Sequence, residues 1–147
     1  MKHSAFYKIP VVYMLIYTVL ILISGLWLFL LSQGFDTIES LTNTLQNVIN
    51  TPADKSIEGV IEVVTPHLFA IGSLIFVVAH FMLFSTKVPQ NLSLKLAIVL
   101  FVFALFDIFS YFAIIFGLAV SGWIKLLSMS LFVLSFLLMI GLVGLSL

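Results

Sequence analysis

Residues Leu94–Val120, LKLAIVLFVFALFDIFSYFAIIFGLAV, decide the solvent in which this chain folds. Apart from Lys95 near its start and Asp107 at its centre, the stretch carries no charge. A bilayer core about 30 Å thick takes roughly 20 apolar residues of helix at 1.5 Å rise each, and the stretch meets that need. Pro10–Ser32, Pro66–Ser85 and Trp123–Leu147 repeat the pattern. The whole chain is 63% hydrophobic and 8% charged, with a mean hydropathy of +1.31. A soluble domain carries roughly 25% charged residues, so a soluble reading fails. Backbone groups in lipid must be satisfied within their own segment, which makes runs of this length helices. The sequence therefore predicts an all-α integral membrane protein: an antiparallel four-transmembrane-helix bundle forming one domain over residues 1–147. Its spans lie at about 10–32, 66–85, 94–120 and 123–147.

Composition also limits partners. The net charge of zero speaks against nucleic acid, which needs clustered basic side chains. With no cysteine there is no disulfide, thiolate chemistry or zinc–sulfur site. Lys2 and Lys8 ahead of the first run imitate a signal peptide. The run from Val11 to Leu31 outlasts the roughly 7–15 residues of a signal core, however, and no small-residue cleavage site follows. It reads as a retained helix.

Four of the six lysines orient the chain: Lys2 and Lys8 precede the first span, and Lys87 and Lys95 lie between the second and third. The positive-inside rule places these segments, and both termini, on the cytoplasmic side of a bacterial-type inner membrane. Trp27 and Trp123 then fall near the outer boundary, as an aromatic belt requires. The loop 33–65 is extracytoplasmic and patterned. Asp36-Thr37-Ile38-Glu39 resembles a capping box, and Ile38, Leu41, Leu45, Val48 and Ile49 recur at helical spacing until Asn50-Thr51-Pro52. Ile57, Val60, Ile61 and Val64 repeat the spacing, with Glu58 and Glu62 opposite. This predicts a short amphipathic helical cap in two pieces. Thr65-Pro66 then reads as the N-cap and first residue of the second span. Ser121-Gly122 makes a short outer turn.

Interruptions of the apolar runs are the handles on function. Asp107 stands in mid-span, where a charge costs at least about 2.5–3.5 kcal/mol. Ser110 and Tyr111 follow at i+3 and i+4 on the same face. Ser73, at matching depth on the second span, completes the expected intramembrane polar cluster of Asp107, Ser110, Tyr111 and Ser73. No second buried acid or base is expected at that depth. The carboxyl is then either a proton- or ion-coupling group or a hydrogen-bonded tie between helices.

His67 and His80 share one span, as the ligands of a b-type haem can. Their spacing of thirteen turns them roughly 140° apart, so one cleft does not receive both without a kink. A second axial ligand would come from His3, Met82, Met129, Met139 or a symmetry-related histidine. Ser73 and His80, seven apart, are expected to share an inward face. Glu58, Glu62 and His67 form a weaker outer cluster of metal-ligating type. Tyr13, Tyr17, Thr18 and the small residues Ser24, Gly25, Gly72, Ser128, Ser130 and Ser135 fit helix packing. No nucleophile triad, phosphate loop or H-E-x-x-H occurs, so no enzyme is expected.

Three functions follow. The first is a non-enzymatic subunit or scaffold of a larger membrane complex, with a protein partner or a homo-oligomer. The second is a b-haem electron-transfer protein using His67, His80 or both. The third is a small proton- or ion-coupled transporter or channel using Asp107. Transport sites are marked by Gly or Pro breaks in mid-span, and only Gly25 and Gly72 approach that.

Overall fold

The computed structural model of the chain describes residues 4–32, 35, 41–50, 57–85, 87–118 and 121–147; of residues 4–7, 32 and 63 it describes the backbone alone. The described residues form five helices: α1 (Ser4–Ser32), α2 (Leu41–Asn50), α3 (Ile57–Leu83), α4 (Gln90–Ile115) and α5 (Trp123–Ser146). Lys8–Leu31 of α1, and α3, α4 and α5 over their lengths, are long and apolar enough to cross a membrane.

Periodicity decides which face of each helix turns inward. On α5 the buried side chains are Lys125, Ser128, Phe132, Phe136, Met139 and Val143, alternating steps of three and four along one stripe. The facing stripe of α4 is Ser93, Ala97, Leu100, Ala104, Ile108 and Ile114, with Ser110 beside it. The α4 stripe includes the small residues Ser93, Ala97 and Ala104, a residue type that membrane helices favour at their contacts. Ile75, Val78, Ala79 and Met82 of α3 complete the core, and Val11 and Leu15 of α1 join it. The serine hydroxyl of Ser93 ties α4 to the end of α3 by donating to the Met82 carbonyl at 3.4 Å.

The attachment of α1 is lighter. After Thr18, whose hydroxyl donates to the Met14 carbonyl at 2.9 Å, none of the described side chains of α1 is buried. Its beginning is held through Lys8, whose ammonium donates to the Leu147 carbonyl at the end of α5. Lys87, between α3 and α4, donates to the Leu145 carbonyl at 2.7 Å. The last turn of α5 contains no basic residue of its own. Two lysines from elsewhere in the chain therefore satisfy carbonyls that a helix end leaves without partners, at the pole where positive charge is favoured.

Helix bounds depart from the sequence reading at two places. Thr65-Pro66 does not start a helix: α3 runs through Pro66 from Ile57, so the second amphipathic piece is the N-terminal end of a long helix. Proline removes one intrahelical donor, and membrane helices absorb that loss through local adjustments. Here the Thr65 hydroxyl donates back to the Ile61 carbonyl at 2.8 Å, within the helix. At the other end, α4 stops at Ile115, short of Val120. Gly117, at φ 69°, takes the left-handed conformation, its N–H donates to the Ile114 carbonyl, and the Leu118 N–H donates to the Ala113 carbonyl. These two bonds make a Schellman stop, which a β-carbon at position 117 would disfavour.

The short helix α2 buries Thr44 and Val48, one turn apart, and docks on the start of α5. Gly122 is the contact point. Its N–H donates to the Ile49 carbonyl at 3.0 Å. A β-carbon there would overlap the Val48 carbonyl and crowd the Cα of Ile49. The position requires glycine for close approach, since its φ of −68° is open to any residue. The capping-box segment at Asp36–Glu39 and the break at Thr51-Pro52 lie outside the described residues.

Replacing Gly122 by leucine forces α2 off α5, because backbone atoms cannot yield as a side chain can. The Leu41–Asn50 amides are then expected to exchange at least roughly ten-fold faster in hydrogen–deuterium exchange, with the interiors of α4 and α5 unchanged. Unaltered protection of α2 contradicts the close docking.

Candidate functional site

A buried cluster between α4 and α5 carries the charge that the apolar runs otherwise exclude. Asp107 lies in the C-terminal half of α4, and Lys125 lies in the first turn of α5. Lys125 Nζ donates to Asp107 Oδ1 at 2.7 Å and to the Asp107 backbone carbonyl at 3.0 Å. The side chains are 8% and 14% exposed. Lysines near helix ends usually extend toward water. This one runs inward and is met there by a carboxylate.

Two serines complete the acceptor side. Ser110 Oγ donates to the Asp107 carbonyl at 2.6 Å. Ser128 Oγ stands 3.2 Å from Asp107 Oδ1, 3.2 Å from Ser110 Oγ and 3.0 Å from the Lys125 carbonyl. A hydroxyl has one proton, so it serves one of these three acceptors at a time. With the Ser110 proton on the Asp107 carbonyl, the Ser128 proton is free to strengthen the carboxylate or to join the two serines. The third side of the ammonium faces aromatic rings. Lys125 Nζ is 4.8 Å from the centroid of Tyr111, one turn after Asp107, and 6.0 Å from that of Phe29 on α1. Both distances lie within cation–π reach. Among the described residues, every buried side-chain nitrogen and oxygen has a hydrogen-bond partner.

The expected grouping of Asp107, Ser110 and Tyr111 on one inward face is present. The expectation that no buried base shares the depth of Asp107 is overturned by Lys125. Sequence position locates a Cα, and a lysine side chain carries its charge well beyond it. The Schellman stop also ends α4 early, which brings Asp107 closer to the end of its helix. A signal was available: Asp107 and Lys125 are both nine residues from Phe116, so a helical hairpin turning there sets them side by side. Ser128, read only as a packing residue, bridges the pair.

Ser73 does not join the cluster. It is exposed on α3, on the face opposite Ile75, Val78 and Met82. His80 is exposed on that same face, so the inward orientation expected for both is reversed. Its imidazole stacks on Phe76, with ring centroids 6.1 Å apart, and meets the edge of Phe84 at 4.9 Å. His67 is exposed as well, and His3 lies outside the described residues. Met82 and Met139 are fully packed in the core, away from the exposed His80 face. Glu58, Glu62 and His67 are all exposed, and no group of three or more His, Asp or Glu of metal-binding type forms among the described residues. Tyr13 and Tyr17 turn outward while Thr18 is buried.

Breaking such a pair leaves an uncompensated charge, at a cost of about 3–5 kcal/mol, whereas an apolar pair of similar volume is close to neutral. Asp107→Asn and Lys125→Met alone are therefore each expected to destabilise the protein by about 3–5 kcal/mol in unfolding from detergent micelles. The double replacement Asp107→Leu with Lys125→Met should recover at least half of that loss. Additive losses would show that the two side chains act independently.

Residues 38–147 match the Aq_1264_TM family model, described as a transmembrane helical domain. No curated protein and no solved structure matches the chain. The matched stretch contains α2 to α5 and the whole Asp107–Lys125 cluster except its Phe29 neighbour. With four apolar helices of spanning length and most of its residues inside this match, the chain is a membrane protein that belongs to the Aq_1264_TM family of transmembrane helical domains.

Proposed function

We propose that this chain is a non-enzymatic subunit or scaffold of a larger membrane assembly, in which the Asp107–Lys125 pair ties two helices together. The observation that carries this reading is the completeness of the pair's internal bonding: acid, base and both serines find their partners within the chain. A coupling carboxylate has to exchange protons or ions with water on both sides. From Asp107 toward the start of α4, the buried residues are Ala104, Leu100 and Ala97, until Ser93 is reached. At 1.5 Å per residue that is roughly 20 Å of apolar packing. Phe132, Phe136, Met139 and Val143 fill the same length from α5. This packing supports a closed bundle over a conduit.

The b-haem reading takes a different form on this fold. His80 presents its ring away from the core, so a haem held there would need a second residue from outside that core to join it. The orientation follows from charge: the segments bearing Lys8, Lys87 and Lys95 lie on the cytoplasmic side of a bacterial-type inner membrane, and α2 lies outside.

Proteoliposomes carrying an internal pH indicator test the closed bundle. An imposed pH gradient is expected to decay as in protein-free vesicles, and faster decay abolished by Asp107→Asn would overturn the reading in favour of transport. The visible spectrum of protein from haem-replete cells separates the haem alternative: a Soret band that shifts on reduction supports it. The assembly itself is read by native mass spectrometry from lipid nanodiscs, where a lone chain without self-association or a stoichiometric partner counts against a scaffold.

A further inference from the structure

The face of α3 turned directly away from the core carries Phe69, Ser73, Phe76 and His80, followed by Phe84 just beyond the helix end. At 100° per residue these positions cluster within about 80°, opposite the arc of Ile75, Val78 and Met82. Phe69, Phe76 and Phe84 are 78%, 64% and 73% exposed. The stripe is not purely apolar. Ser73 lies roughly 15 Å up the helix from its Leu83 end, and His80 lies one turn from that end. Among the described residues, no hydrogen bond joins either side chain to the rest of the chain. Hydrocarbon offers no partner to a hydroxyl or an imidazole, and a polar group on a membrane helix that is not bonded to its own backbone is free to bond across to a neighbouring helix.

We infer that this stripe is the seat of a second copy of the chain, in a parallel two-fold dimer; the inference rests on the scaffold reading and names its partner. Hydrogen-bonding complementarity selects the occupant. A two-fold axis along the membrane normal sets each residue against its own counterpart at equal depth. The Ser73 hydroxyl and the His80 imidazole can each present a donor and an acceptor, so each can pair with an identical group. The phenylalanines pack above and below them. No Asp, Glu, Lys or Arg falls on the stripe between Phe69 and Phe84. Glu58 and Glu62 extend the same line beyond Pro66, and their like charges part the two helices at the outer end. Pairing is thereby confined to the inner two-thirds of α3. The seat lies opposite the core, and its phenylalanines are exposed with α1 in place.

The absence of cysteine from the chain gives a clean test in native membranes. Single replacements Ser73→Cys and Phe76→Cys on the stripe are compared, under a copper oxidant, with Leu20→Cys on α1 and Leu134→Cys on α5, both exposed elsewhere on the bundle. The stripe variants are expected to form disulfide-linked dimers, and the controls to stay monomeric. In fluorescence energy transfer between labelled chains in liposomes, Ser73→Ala with His80→Ala should raise the dimer dissociation constant roughly ten-fold. Equal cross-linking at all four positions, or none, overturns the dimer. If a different protein then co-purifies in stoichiometric amount and is released by Phe76→Ala, the homodimer fails and the scaffold reading survives. A lone chain in nanodiscs with no partner removes both.

Discussion

The ion pair between Lys125 and Asp107 is the constraint around which the rest of the molecule is arranged. In a bilayer, apolar side chains gain nothing by leaving lipid for one another, so helices associate through close packing and polar bonds. A carboxylate on α4 and an ammonium on α5 are each unwelcome in hydrocarbon, and bringing them together relieves both. The pair therefore ties the register of the two helices near the turn that joins them. From there along the bundle, Ala104, Leu100 and Ala97 of α4 share one core with Phe132 and Phe136 of α5. Ser110 and Ser128 each find a backbone acceptor within their own helix, and Ser128 Oγ also lies 3.2 Å from Asp107 Oδ1 and from Ser110 Oγ, so the two helices meet through polar contacts as well as packing.

The opposite end of the bundle is organised by a second electrostatic device. Lys8 and Lys87 reach the last carbonyls of α5 from two other parts of the chain. Helix ends are the only places where a membrane helix exposes its own backbone polarity, and here that polarity gathers α1 and the α3–α4 turn around one pole. Between these anchors α1 stays peripheral: it buries Val11, Leu15 and Thr18, then runs outward along lipid to Phe29, which closes one side of the Lys125 ammonium. The family match begins after α1, in keeping with a four-helix unit, α2 to α5, to which α1 is added.

Much of the architecture was legible because membrane helices advertise themselves by length and hydropathy. The inward face of α4 was legible too, since Asp107, Ser110 and Tyr111 lie one turn apart and polar groups avoid lipid. The same rule misled at α3. There Ser73 and His80 were expected inside, yet the inward arc belongs to Ile75, Val78, Ala79 and Met82. Almost every residue of α3 is apolar, so hydrophobicity does not distinguish a core face from a lipid face; shape does, and shape is expressed only against a neighbour. Pro66 failed as a start signal for a related reason, because its lost hydrogen bond can be absorbed within a helix already committed to lipid.

By itself the sequence determined the solvent, the helical state, the four spanning runs and the presence of one costly acid. Each of these depends on local chemistry summed along the chain. Tertiary structure alone decided which base would answer that acid, which serines would bridge them, and which histidine face would be left outward. Those outcomes depend on where flexible side chains end and on how two helices fit, and neither is carried by residue spacing along a single run.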